Sequence, residues 1–136
     1  MKSILLDTCA AIWIAEDEPI TADATQVLGA ARESTTIFVS PMSGWEVGML
    51  VAKKRITIAM EPEAWFEKLL AVPGVQSAPL TVRTLIASSF LPGLPPRDPV
   101  DRIIAATARE GGYQVITRDR VLLDYAKEGY ISAIEC

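Results

Sequence analysis

Asp7, Glu46, Asp98, Asp101 and Asp119 are scattered along the 136-residue chain, yet each falls where a regular element begins or ends. Asp7 closes the apolar run Ile4-Leu5-Leu6, and Asp119 follows the run Val115-Ile116-Thr117. Asp98 and Asp101 open a helix, and Glu46 lies in the early turns of the helix after Ile37-Phe38-Val39. Gathered in one place, such carboxylates hold a hard divalent cation through oxygen. A cation so held activates water and neutralises phosphate charge. Helical phase sharpens this for two of them. Glu46 shares a face with Met49 and Leu50, and Asp101 shares one with Ile104, Ala105 and Ala108. A carboxylate at the head of an apolar face is costly to desolvate unless it is paired or cation-bound. No Lys or Arg stands out as a common partner.

The elements that would position these acids alternate. Ile4-Leu5-Leu6 and Ile37-Phe38-Val39 are short continuous apolar runs, as in strands buried on both faces of a parallel sheet. Helical stretches are expected over 10–15, 21–32, 41–54, 62–72, 81–90, 98–110 and 119–127, with further strands over 75–80, 114–117 and 131–134. Ser40-Pro41 and Asp98-Pro99 are N-cap and first-turn signals, Thr21 is a plausible cap, and Gly111-Gly112 ends a helix. Residues 91–97 form a breaker-rich loop. Strand–helix alternation implies right-handed crossovers and a mostly parallel sheet covered by helices. In such a sheet, ligands bind beyond the carboxyl ends of the strands, where acids distant in sequence meet.

Composition narrows the chemistry. The chain lacks His altogether, which excludes Ser-His-Asp and Cys-His catalysis and His-ligated zinc. Its net charge of −4 argues against a generic nucleic-acid binder. Five of its 17 acids are the candidates above, however, so the remaining surface is near neutral, and a bound cation would invert the local sign. Half of the residues are hydrophobic, and the length suits one domain with a real core. Two cysteines, Cys9 and Cys136, stand without framework spacing, as in a reducing cytoplasm. No run reaches the roughly 20 apolar residues of a membrane span. Lys2 followed by apolar and then small residues imitates a signal peptide, but Asp7 interrupts it and Glu16, Asp17 and Glu18 follow, so the expectation is a mature soluble protein.

Each acid also has a purely structural reading. Asp7-Thr8 can end a strand in an Asx turn. Asp98 suits an N-cap with Asp101 favouring the helix dipole, and Asp119 can cap its own helix. Ser43-x-x-Glu46 matches a capping box, although Ser40-Pro41 is the better helix start. Glu16, Asp17, Glu18, Glu61, Glu63 and Glu67 read as solvated surface. Trp13, Trp45 and Trp65 can stack bases, but apolar neighbours at helical spacing favour packing.

Taken together, Ile4-Leu5-Leu6-Asp7-Thr8, Ser43-Gly44-Trp45-Glu46-Val47, Arg97-Asp98-Pro99-Val100-Asp101-Arg102 with Ile103-Ile104-Ala105, and Val115-Ile116-Thr117-Arg118-Asp119 resemble the PIN-domain family, specifically its VapC-type ribonuclease toxins. The resemblance spans nearly the whole chain. It implies one three-layer α/β/α domain over 1–136, with a mostly parallel central sheet of four to five strands. It implies a metal-dependent endoribonuclease using Mg²⁺ or Mn²⁺, with an acidic quartet on Asp7, Glu46, Asp101 and Asp119. Asp98 is then the extra acid of an Asp-Pro-x-Asp-Arg subgroup, and Thr8 and Thr117 support the site by hydrogen bonds. An RNA substrate, a cognate small antitoxin and a homodimer follow from the same resemblance. Exposed Trp, Leu and Met in the first half would suit the protein surfaces. Two departures are Val121, where some relatives carry Asp, and the absence of a His just before Arg97. Arg97, Arg102, Arg118 and Arg120 lie near the quartet and are candidates for phosphate contacts, Arg102 and Arg118 alternatively for pairing with acids. Rival readings are a non-catalytic PIN-like binding module and an aspartate-nucleophile phosphatase. The phosphatase wants a second Asp where this chain has Cys9, and also a catalytic Lys.

Overall fold

In a computed structural model, the described residues are 3–16, 18–33 and 37–136. The expectations for Lys2 and Asp17 fall outside them. The elements are β1 (Ile4–Leu6), α1 (Thr8–Ala15), α2 (Ala22–Glu33), β2 (Ile37–Val39), α3 (Pro41–Ala52), α4 (Pro62–Leu70), β3 (Val75–Ser77), α5 (Val82–Ala87), α6 (Pro99–Gly111), β4 (Gln114–Thr117), α7 (Arg120–Lys127) and β5 (Ser132–Glu135). Five strands form one sheet in the order β3-β2-β1-β4-β5, and every pairing is parallel. The expected α/β fold is therefore present, with five strands.

Strand pleating divides the core into two layers. Ile4 and Leu6 of β1, with Ile37, Val39 and Ile116, pack against Ala10, Ala11, Leu28, Val47, Trp65 and Leu69 from α1 to α4. Leu5 and Val115, on the opposite face, pack against Val100, Ile104, Ala105, Ala108, Leu122 and Tyr125 of α6 and α7. The central strand is thus buried on both sides, which is why it shows no polar alternation.

The boundaries that moved have local causes. α5 stops at Ala87 rather than continuing to Phe90, because Ser88 turns its hydroxyl back onto the Leu85 carbonyl (2.6 Å) ahead of Leu91-Pro92. β3 stops at Ser77, two residues before Pro79, which has no N–H for a ladder. No helix among the described residues is long and apolar enough to cross a membrane. Glu16, Glu18, Glu61, Glu63 and Glu67 are exposed, as expected of solvated acids.

The loop before α6 is held from within. Arg102 donates from Nε to the Ser88 carbonyl (2.8 Å), from Nη1 to the Pro96 carbonyl (2.9 Å) and from Nη2 to the Ser89 carbonyl (3.4 Å). The acid pairing expected for this side chain is not found among the described residues; the guanidinium is bonded to backbone carbonyls instead. A planar fork matches converging carbonyls better than a point charge can. Arg102→Lys is therefore expected to destabilise the protein by about 1–3 kcal/mol in denaturant unfolding, since one ammonium cannot satisfy all three carbonyls. Unchanged stability with weakened RNA binding would instead return Arg102 to a phosphate-contacting role.

Candidate active site

A parallel register fixes which residues meet at the carboxyl edge of the sheet. Leu6 is level with Val39 on one side and with Ile116 on the other. The next residues, Asp7, Ser40 and Thr117, therefore emerge side by side. Helices connecting parallel strands run antiparallel to them, so α1, α3, α6 and α7 all begin at this edge. That geometry brings Asp7, Glu46, Asp101 and Asp119 from four elements to one place.

Asp7 is only 4 % exposed. One of its oxygens accepts from the Ala10 N–H (2.8 Å), capping α1, and the other accepts from the Thr117 hydroxyl. Thr117 Oγ1 in turn accepts from the Asp119 N–H (2.9 Å), so one hydroxyl ties the first acid to the last. Thr8 donates from Oγ1 to Ser43 Oγ (3.0 Å), which pins α1 to α3 next to Glu46. Thr117 thus contacts two of the acids directly, whereas Thr8 contacts Ser43 rather than an acid.

The structural readings are present too, and they coexist with the cluster. Asp98 Oδ2 accepts from the Asp101 N–H (3.0 Å) and Asp119 Oδ2 from the Leu122 N–H (3.2 Å), each capping its helix. These two caps each use one oxygen and leave the other free. Glu46 is not part of a capping box, because α3 is capped by Ser40, whose hydroxyl accepts from the Met42 N–H (3.1 Å).

Electrostatics shows that the acids feel one another. Burial raises Asp101 to about 7, with Asp119, Asp98, Glu46 and Asp7 adding repulsion. Asp7 is raised to about 6, chiefly by burial; the bonds from Thr117 and Ala10 oppose this, and Asp119 and Glu46 reinforce it. Cys9 is pushed to about 11 by burial and by the same four carboxylates, which places its thiol beside the cluster. Among the described residues, no three acidic or cysteine side chains are drawn together as a ready-made metal cage. The donors are nevertheless all oxygen, mutually repelling and partly desolvated. That set fits a hard cation that retains several waters, as Mg²⁺ does, better than it fits a cation needing a closed cage.

The arginines divide into two kinds. Arg118 donates from Nε to the Cys136 carbonyl (2.6 Å) and from Nη2 to the Pro19 carbonyl (2.9 Å), and its guanidinium lies 3.8 Å from the centre of the Trp13 ring. Like Arg102, it pairs with no acid among the described residues and braces backbone. Arg97 and Arg120 are exposed and carry no hydrogen bond or ion pair among the described residues. Ser43 is the supporting residue that the sequence reading passed over as a mere capping candidate. Its signal was phase, since it lies one turn before the buried Val47 on the face that meets α1.

A PIN domain model matches residues 4–128. The chain belongs to the PIN-domain family. Within that family it is 35 % identical over 123 residues to "Ribonuclease VapC22" of Mycobacterium tuberculosis (strain ATCC 25618 / H37Rv), an alignment covering 90 % of this chain and 91 % of the relative. This places the chain among the VapC-type PIN domains, whose ribonucleases are generally metal-dependent. The fold matches VapBC2 from Rickettsia felis bound to a promoter DNA fragment, with a TM-score of 0.70, 14 % identity and coverage of 97 % of both chains. It also matches DNA-bound VapBC from Salmonella typhimurium, with a TM-score of 0.57, 19 % identity and coverage of 99 % and 98 %. FitAcB from Neisseria gonorrhoeae gives 0.56 at 18 % identity, covering 96 % of each chain.

Proposed function

We propose that this PIN domain is an endoribonuclease toxin that hydrolyses RNA phosphodiester bonds with Mg²⁺ or Mn²⁺, and that a cognate small antitoxin restrains it. The observation that carries this reading is the convergence of Asp7, Glu46, Asp101 and Asp119 at one sheet edge, with Asp7 and Asp101 held above the ordinary carboxylate range. Asp7 and Asp101 are the firmest metal ligands, and Asp119 contributes directly or through water. Glu46 is either a further ligand or the group that orients the attacking water. When bound, the cation lowers the pKa of that water and offsets charge on the phosphate. Thr117 and Thr8 keep Asp7, Asp119 and α3 in register. Arg97 and Arg120 supply cationic contacts to the RNA backbone. Purified protein should cut cellular RNA in Mg²⁺ or Mn²⁺ and stop cutting in chelator. Intact RNA under both conditions, with tight Mn²⁺ binding absent, favours the non-catalytic binding module instead.

Two free cysteines without a disulfide framework support a cytoplasmic location. A homodimer is supported by exposed Val82, Leu85, Ile86, Phe90 and Leu94, a cluster of large apolar side chains along α5 and the loop after it. This patch lies in the second half of the chain. Of the Trp, Leu and Met residues of the first half, only Trp45 is comparably exposed among the described residues. Phe90→Asp should convert a dimer into a folded monomer in light scattering. A variant that remains dimeric would move the interface elsewhere.

A further inference from the structure

We infer that Trp45 is a base-stacking residue that holds an unpaired nucleobase of the substrate at the rim of the acidic cluster. The inference rests on the ribonuclease reading above and deepens it. Three tryptophans have three different surroundings. Trp65 is 2 % exposed in the core. Trp13 is half-buried, with the Arg118 guanidinium against its ring. Trp45 is 56 % exposed, although it directly precedes Glu46.

Helix geometry explains the exposure. Ser43 and Val47 are fully buried and lie one turn apart, so they define the inner face of α3. At about 100° per residue, Trp45 falls nearly opposite both, while Glu46 lies at the flank of the inner face. The helix cannot roll to hide the indole. Ser40 caps its start, Thr8 is bonded to Ser43, and the Phe66 ring lies 3.4 Å from where a side chain on Gly44 would begin. Trp45 is thus held near the anchored start of α3, beside a carboxylate that acts electrostatically on both Asp7 and Asp101.

The flanking residues point to the same ligand. Arg97 adjoins Asp98 and Arg120 adjoins Asp119, and both are exposed without partners among the described residues. An exposed indole beside Glu46, with exposed guanidinium groups on the residues adjoining Asp98 and Asp119 in the chain, matches one aromatic face and the flanking phosphates of a single strand. A base can reach such a ring only when it is unstacked, so a paired stem is excluded from this contact.

The test uses the full-length protein in chelator, titrated with an unstructured single-stranded oligoribonucleotide and with its duplex. Wild-type protein should bind the single strand with tryptophan quenching and bind the duplex much more weakly. Trp45→Leu should lose that quenching and weaken binding by about 5- to 150-fold, while Trp45→Phe retains most of the affinity. Cleavage of total RNA in Mn²⁺ is measured in parallel. Cleavage by wild-type protein with equal RNA affinity of Trp45→Leu would overturn the stacking role and leave the ribonuclease intact. Failure of wild-type protein to bind or cut any RNA would overturn both. Loss of affinity that tracks a change of Trp45→Leu from dimer to monomer would assign the indole to a protein interface instead.

Discussion

Asp101→Asn is expected to lower metal-dependent RNA cleavage by at least about 100-fold while leaving the fold intact. The amide keeps the volume and the polar surface but removes the charge, and charge is what a hard cation requires. Asp7→Asn should lose as much activity for the same reason. It carries an added structural effect, because Asp7 accepts from both Ala10 and Thr117. An Asn side chain can keep the first bond, but its amide nitrogen cannot accept the second. Asp98→Asn separates capping from catalysis. Asn caps a helix as well as Asp does, so the bond to the Asp101 N–H survives and activity should stay within about fivefold. A side-by-side cleavage assay of the three variants decides the roles. Full activity of both Asp7→Asn and Asp101→Asn would sink the carboxylate mechanism. A loss in Asp98→Asn equal to that in Asp101→Asn would promote Asp98 to a direct role.

The contrast between these acids and the arginines shows what a linear sequence carries. Asp7 and Asp119 were legible because each ends an uninterrupted apolar run, and in a parallel sheet all such runs end at the same edge. Asp101 and Glu46 were legible through the 3.6-residue period, which sets each at the head of an apolar face. The fold followed from strand–helix alternation alone. The partners of Arg102 and Arg118 were not legible, because proximity in sequence to an acid was the only available signal. Their actual partners are the carbonyls of Ser88, Ser89, Pro96, Pro19 and Cys136. Such carbonyls leave no trace in residue type, since every residue has one. The exposed stripe from Val82 to Leu94 was hidden for a related reason. An apolar helix face reads as core until the packing shows that nothing covers it.

The same cluster that would bind metal should make the metal-free protein less stable as pH rises. Asp7 and Asp101 reach about 6 and about 7 in the folded state, against 3.8 for an ordinary aspartate. Between pH 4 and 7 the folded chain therefore binds more protons than the unfolded chain, and stability must fall as pH increases through that window. Asp101 has the larger shift, but it is partly exposed and solvent screens its share; Asp7 is buried, though with a value near 6 only about one unit of its shift, about 1.4 kcal/mol, falls above pH 5. Together they should cost on the order of 3 kcal/mol between pH 5 and pH 8, or roughly 10 °C in Tm for a domain of this size. Mn²⁺ or Mg²⁺ binds the deprotonated acids, so saturating metal should restore stability at pH 8 and do little at pH 5. Asp101→Asn removes one of the repelling charges. It should melt higher than the parent protein at pH 8 without metal, show a shallower pH dependence, and respond less to added metal. Thermal melts of both proteins at the two pH values, with and without Mn²⁺, test all of this at once. A metal-free parent protein that is equally stable at pH 5 and pH 8 would mean that the carboxylates do not share one desolvated site. Stability and cleavage pull these residues in opposite directions, which is the relation expected of carboxylates gathered for a cation rather than for the fold.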